Sequence, residues 1–143
     1  MSRQVTAEEL GIHLDKDDDR TLFRWFLASF LMGKRIQVEI AVNAYREIAE
    51  HHHIDTPSKL AGQSHRQLVS MLGRARYVRY DESTAARLLA LAGKLNSQYS
   101  GKISVIRELS GDRKTFEKRL AEFAGVGPKT VEIFMREAGE VLY

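Results

Sequence analysis

The chain has 143 residues, 43% of them hydrophobic and 29% charged, with a net charge of +3. That composition describes one globular domain able to bury a full core, rather than a disordered segment. It contains no cysteine, which excludes disulfides, thiolate zinc sites, Cys-ligated iron–sulfur clusters and cysteine nucleophiles, while the mildly basic balance admits a polyanionic partner without requiring one.

The opening "MSRQVTAEEL" lacks the apolar stretch of a signal peptide, so a cytoplasmic location is expected, at the nucleoid if the cell is bacterial. "DKDDDR", residues 15–20, begins like a calcium loop. Its sixth position is Arg20 rather than Gly and its twelfth is Phe26 rather than Glu, so helix capping by Asp18 or Asp19 explains it better. The run from Leu22 to Met32, "LFRWFLASFLM", falls short of the roughly 20 apolar residues of a membrane span and reads as a buried helix.

After Gly33-Lys34-Arg35, the residues Val38, Ala41, Val42, Tyr45, Ile48 and Ala49 follow the spacing of an amphipathic helix. "HHHID", residues 51–55, hints at metal. Three consecutive side chains diverge, however, and no partner ligands stand at metal spacing, so placement near a helix C-terminus is the simpler reading. Thr56-Pro57 offers an N-cap followed by proline at the first helical position, and Ser64 and Gln67 have capping-box spacing.

Arg74, Arg76 and Arg79 then interleave with Tyr77 and Tyr80, a combination suited to phosphate contact and base stacking. With Lys34, Arg35, Arg66 and Lys129 they fall in or near connections. Leu88, Leu91, Ala92, Leu95 and Tyr99 mark another helix. Asp112 opens one carrying Phe116, Leu120, Phe123 and Ala124; its charges, Arg113, Lys114, Lys118 and Arg119 among Glu117 and Glu122, describe a solvated face. Val131, Phe134, Met135 and Ala138 form the last stripe, with Gly139 as its expected stop. Roughly seven helices on short connections, with no convincing strand, predict an all-α bundle occupying residues 1–143 as one domain.

The most informative stretch is "LAEFAGVGPKTVEIF", residues 120–134. Two amphipathic helices meet at Ala124-Gly125-Val126-Gly127, too short for anything but a tight turn. Glycine permits positive φ there, and Pro128 presets the next helix. The amides of Gly125, Val126 and Gly127 lie at the positive end of a helix dipole, with Lys129 and Thr130 adding a cation and a hydroxyl, so the turn suits an anion.

"LAEFAGVGPKT" resembles the helix-hairpin-helix element of the DNA glycosylase superfamily typified by endonuclease III, whose pattern is close to Leu-x-x-Leu-Pro-Gly-Val-Gly-x-Lys-Thr. Leu120, Phe123, Gly125, Val126, Gly127, Lys129 and Thr130 fill it, with Ala124 at the usual proline. "LFRWFLASFLMGKRIQVEIAVNAYREI", "RARYVRYDESTAARLLAL" and "YSGKISVIRELSGDRKTFEKRL" are similar to the segments that precede the hairpin, so the likeness covers about residues 19 to 138, with the hairpin at 112–138.

The resemblance implies a compact helical bundle like the helical-barrel lobe of endonuclease III, binding double-stranded, damaged or abasic DNA. In bifunctional members the lysine matching Lys129 attacks the sugar and permits strand cleavage. The DNA contacts expected are Gly125, Val126, Gly127, Lys129, Thr130, Lys34, Arg35, Arg76 and Arg79. No cofactor is expected, although the hairpin leaves room for a monovalent cation. The family's downstream aspartate has no counterpart in "REAGEVLY", residues 136–143, and Gly33-Lys34-Arg35 stands where the family often places a gap-filling glutamine. Two functions follow: a glycosylase or abasic-site lyase using Lys129, and a module that recognises damaged or distorted DNA without cutting it. A helical protein–protein adaptor is a third. A monomer or weak homodimer is expected, with Val141-Leu142-Tyr143 as the candidate dimer contact.

Overall fold

In the computed structural model, which describes residues 3–143, the described chain forms eight α-helices and no strand. They are α1 (Asp19–Met32), α2 (Val38–Tyr45), α3 (Pro57–Ala61), α4 (His65–Arg74), α5 (Asp81–Tyr99), α6 (Ile103–Ser110), α7 (Arg113–Leu120) and α8 (Pro128–Leu142). A short 3₁₀ turn, Glu8–Leu10, precedes them. No helix among the described residues is long and apolar enough to cross a membrane.

Side-chain caps set four of the eight helix starts. Asp18 caps α1 by accepting from the Arg20 amide, and Thr56 caps α3 by accepting from Lys59 with Pro57 next in line. Ser64 and Gln67 complete a reciprocal capping box at α4, and Asp112 accepts from the Thr115 amide at α7. Each satisfies an amide that the first turn of a helix leaves without a partner. The second candidate cap, Asp19, instead accepts from the backbone and hydroxyl of Ser104 at 2.9 and 2.6 Å, tying the start of α1 to α6.

α1 is the axis of the core. It is buried around most of its circumference, and α2, α6 and α8 pack against it. A helix that is apolar on all sides has to be enclosed. The Trp25 indole donates to the Phe134 carbonyl at 3.1 Å, pinning α8 to α1. Phe26 meets the rings of Phe123 and Phe134 edge-on, at 5.6 and 5.3 Å between centroids. On the other side α5 packs against α3, α4 and α6, and Leu88, Leu91, Ala92, Leu95 and Tyr99 are all buried as their spacing predicts.

Two expectations change in three dimensions. The helix read across Val38 to Ala49 leaves α-geometry after Tyr45 and continues as a π-helical turn, Arg46–His51. Gly139 is not a stop: it lies buried inside α8, where the Arg113 guanidinium passes so close that an added Cβ would sit 3.1 Å from it. The glycine there serves a close approach rather than a cap. In the tail named as a candidate dimer contact, Leu142 is buried and its carbonyl accepts from Arg107, while the Tyr143 ring stands edge-on to Phe116 and remains 42% exposed. The N-terminal strap, which lies outside the predicted helices, contributes Val5, Ala7, Leu10 and Ile12 to the core. Glu137 on α8 accepts from the Ala7 amide and Arg136 donates to the Val5 carbonyl, so the strap is laced to the hairpin's second helix.

Candidate nucleic-acid interface

α7 and α8 form the helical hairpin, joined through residues 121–127. Gly125 adopts φ +80°, the left-handed region that its place in the turn requires. Gly127 is the N-cap of α8 with extended geometry, and no side chain caps that end. The first helical bond runs from the Val131 amide to the Gly127 carbonyl. The Val126 amide, expected to be free, donates back to Phe123 at 3.0 Å and closes the turn, while its side chain is buried. The amides of Gly125, Gly127, Lys129 and Thr130 meet no acceptor among the described residues. These donors, at the positive end of a 15-residue helix, are what an anion would occupy.

Lys129 is exposed in the first turn of α8. Thr130 turns the other way. It is buried, and its hydroxyl lies directly beneath Gly33, where an added Cβ would come within 2.1 Å of it. The side chain expected to reach a phosphate is therefore the seat on which the Gly33-Lys34-Arg35 loop rests. This contact brings the loop after α1 against the hairpin.

Lys34 consolidates the same junction. Its ammonium donates to the Gly125 carbonyl at 2.7 Å and stands 4.9 Å from the centre of the Phe30 ring. It is half-buried, and burial, helped by the nearby Arg87 charge, lowers its pKa. One of the turn's carbonyls, where the sequence left room for a monovalent cation, is thus engaged by a cation of the chain itself. Arg35 is exposed beside it.

Two depressions flank Lys34. One, of about 320 Å³, is lined by Gly33, Lys34, Arg35, Tyr80, Thr84 and Arg87. The other, of about 280 Å³, includes Lys34, Lys129, Arg3 and Arg136 in its wall. No carboxylate lines either one among the described residues. Parts of the loop after α1, the start of α5 and the hairpin, far apart in sequence, thus form one cationic surface.

The arginine–tyrosine stretch divides. Tyr77 is buried and donates its hydroxyl to the Leu31 carbonyl at 3.0 Å, so it holds α1 rather than stacking on a base. Burial pushes its pKa up to about 12. Tyr80 is half-exposed at the rim of the first depression, with the Arg79 guanidinium 5.4 Å above its ring. Arg76 is exposed with φ +65°, and Val78 between the arginines is 57% exposed. Neither Arg76 nor Arg79 lines the depression.

Arg87 was not legible in the sequence. It lies one turn after Thr84 on α5, and its side chain crosses Gly125 so closely that an added Cβ there would stand 2.7 Å from its Cδ. A single arginine in "STAARLLALAG" carries no pattern to set it apart from a solvated residue.

The histidine run is drawn into an ion-pair cluster. His51 and His52 contact the Glu47 carboxylate at 3.1 and 2.9 Å, Arg74 reaches it at 3.3 Å, and these partners hold its pKa below the usual carboxylate range. No group of three or more potential His, Asp or Glu metal ligands occurs among the described residues. Arg113 pairs with Glu117 on the solvated face of α7, as the charge pattern implies.

Compared with protein-family models, with curated proteins and with solved structures, the chain matches none.

Proposed function

We propose that this protein binds duplex DNA by the helical hairpin and recognises damaged, abasic or distorted sites, as a relative of the helix-hairpin-helix glycosylases of base-excision repair. One observation carries the reading. The uncapped start of α8, with its free amides and exposed Lys129, is packed through Gly33 and Thr130 against a loop whose next two residues are Lys34 and Arg35. Backbone amides and Lys129 grip phosphates of one strand, while Arg35, Arg79 and Arg87 extend the positive surface along the duplex. Val78, apolar and exposed between Arg76 and Arg79, has the chemistry of a wedge that enters a base stack already weakened by damage.

Recognition without strand cleavage is the version these residues support best. Cleaving the strand after attack by Lys129 requires a base to take a sugar proton, and the two depressions beside the hairpin hold no carboxylate among the described residues. Glu132, the acid nearest Lys129 in sequence, lines the groove between α7 and α8 instead.

Fluorescence anisotropy on labelled duplexes tests this. The logarithm of the affinity is expected to fall with log salt, with a slope of about −0.9 for each phosphate neutralised. Lys129→Ala is expected to weaken intact and abasic duplexes alike and to flatten that slope by about 1. Binding that ignores salt, or no binding, refutes the reading and returns the helical adaptor. Val78→Ser is expected to act on discrimination: the preference for an abasic over an intact duplex should shrink by about tenfold, the value of one buried valine side chain. An unchanged preference would remove Val78 from the recognition surface.

A further inference from the structure

The hairpin has a second face, turned away from the Gly33–Arg35 loop. Arg113, Glu117 and Ala121 stand one turn apart along α7 and its end, and Pro128, Val131 and Met135 do the same along α8, so each set shares one side of its helix. The two sides wall an open groove of about 1130 Å³, lined among the described residues by the hairpin alone. Ala121 and Pro128 are exposed and Val131 is half-buried, with the more deeply buried Val126 and Met135 as its floor. No residue of the groove belongs to the cationic cleft that Tyr80 borders.

We propose that this groove docks a short amphipathic helix of a partner protein, with apolar residues on its inner face and carboxylates along the edge that lies over α7. Charge complementarity selects that occupant. Arg113, Lys114 and Lys118 line the α7 wall, and the one acid there among the described residues, Glu117, is already paired with Arg113 at 3.0 Å. Lys114 and Lys118 stand one turn apart, exposed, and pair with no carboxylate among the described residues. On the α8 wall Glu132 and Arg136 offset each other. The unbalanced positive charge thus follows one wall beside an apolar floor. Acids one turn apart on a partner helix match the two lysines, whereas a helix with a basic edge meets like charge.

The dimensions suit a helix. The walls run from Arg113 to Ala121 and from Pro128 to Arg136, about 12 Å of helix on each side. A partner lying along them for about two turns presents apolar residues at i, i+3 or i+4 and i+7 to Val126, Val131 and Met135. The flexible thioether of Met135 adapts to whichever side chain arrives. An extended peptide has nothing to pair with here, because the described chain contains no strand and so no sheet edge. The apolar side chains of the floor also give a phosphate no donor. Helix docking on this face is therefore independent of DNA binding on the other.

The probe is a fluorescein-labelled peptide of about 15 residues, long enough to populate a helix, with Leu on one face and Glu along its edges. It is titrated against the full chain beside two relatives, one with Lys for each Glu and one with Ser for each Leu. The acidic peptide should bind saturably by anisotropy, and each relative at least about tenfold more weakly. Lys114→Glu combined with Lys118→Glu changes two exposed sites and should retain the helical circular dichroism. It should weaken the acidic peptide by about tenfold and strengthen the basic one. Amide shifts in NMR spectra on adding the acidic peptide should concentrate on α7 and on residues 126–136. The proposal is overturned by no binding of the acidic peptide, by equal affinity for the acidic and basic ones, or by an unchanged preference in the double variant. Shifts centred on the Gly33–Arg35 loop overturn it too. So does a dimer, seen by ultracentrifugation, that the two lysine changes abolish, since a second copy of this chain would then be the occupant. A chain that binds the peptide but no duplex upholds helix docking and refutes only the DNA-binding reading.

Discussion

Gly33→Ala is expected to destabilise the protein by about 2 kcal/mol, a fall in Tm of roughly 6 °C for a chain of this size. The backbone there, at φ −79°, suits any residue, so strain is not the cause. The cause is space. The new methyl would lie 2.1 Å from the Thr130 hydroxyl and 3.2 Å from both the Thr130 Cβ and the Ser29 carbonyl. Thr130 is buried in the first turn of α8 and Ser29 is part of α1, so neither yields without moving a helix. The loop bearing Lys34 and Arg35 would lift off the hairpin, and DNA affinity should fall along with stability. A double-mutant cycle isolates the contact: Thr130→Ala removes the atom in the way, so Gly33→Ala combined with Thr130→Ala should recover about 1 kcal/mol relative to the sum of the single changes. Thermal or urea unfolding of the four proteins measures it, and simple additivity would disprove the contact.

Gly125→Ala should cost about 2–3 kcal/mol, from two sources. A residue with a side chain at φ +80° incurs about 1–2 kcal/mol of backbone strain. The added methyl would also meet Phe30 ring atoms at 3.1 and 3.3 Å and Arg87 Cδ at 2.7 Å. The arginine can swing aside, but the Phe30 ring is fully buried and cannot. Gly11→Ala separates the two sources, because Gly11 has φ +73° and a methyl added there would find nothing within 4 Å; it should cost only about 1 kcal/mol. Equal losses at the two positions would refute the steric part. At Gly125 the change also disturbs the carbonyl that holds Lys34 and the amides facing outward, so DNA affinity is expected to drop by at least about tenfold, whereas Gly11→Ala should leave it unaltered.

The candidate site was legible in the sequence only where it is local. The turn's glycines, the proline start of α8 and the adjacent Lys129 were readable because a helical hairpin places its signals within a few residues of one another. The division of labour among its neighbours was not. Thr130 and Lys129 are adjacent and both polar, yet one is buried under Gly33 and the other exposed. In "RYVRY" two tyrosines look alike, but Tyr77 bonds to the Leu31 carbonyl inside the core while Tyr80 borders the cleft. A helix start does not announce which of its side chains another segment will cover.

By itself the sequence determined the all-helical class, the caps at Asp18, Thr56, Ser64 and Asp112, the buried faces of α1 and α5, and the tight turn at Gly125 to Gly127. All of these depend on relations between residues a few positions apart, which hydrophobic period and capping chemistry express directly. Only the tertiary structure decided that α8 runs through Gly139 beside Arg113, that Arg87 crosses Gly125, and that Lys34 meets a carbonyl 91 residues away. Those contacts arise from how close-packed helices exclude one another's atoms, and that packing is a property of the assembled core rather than of any segment within it.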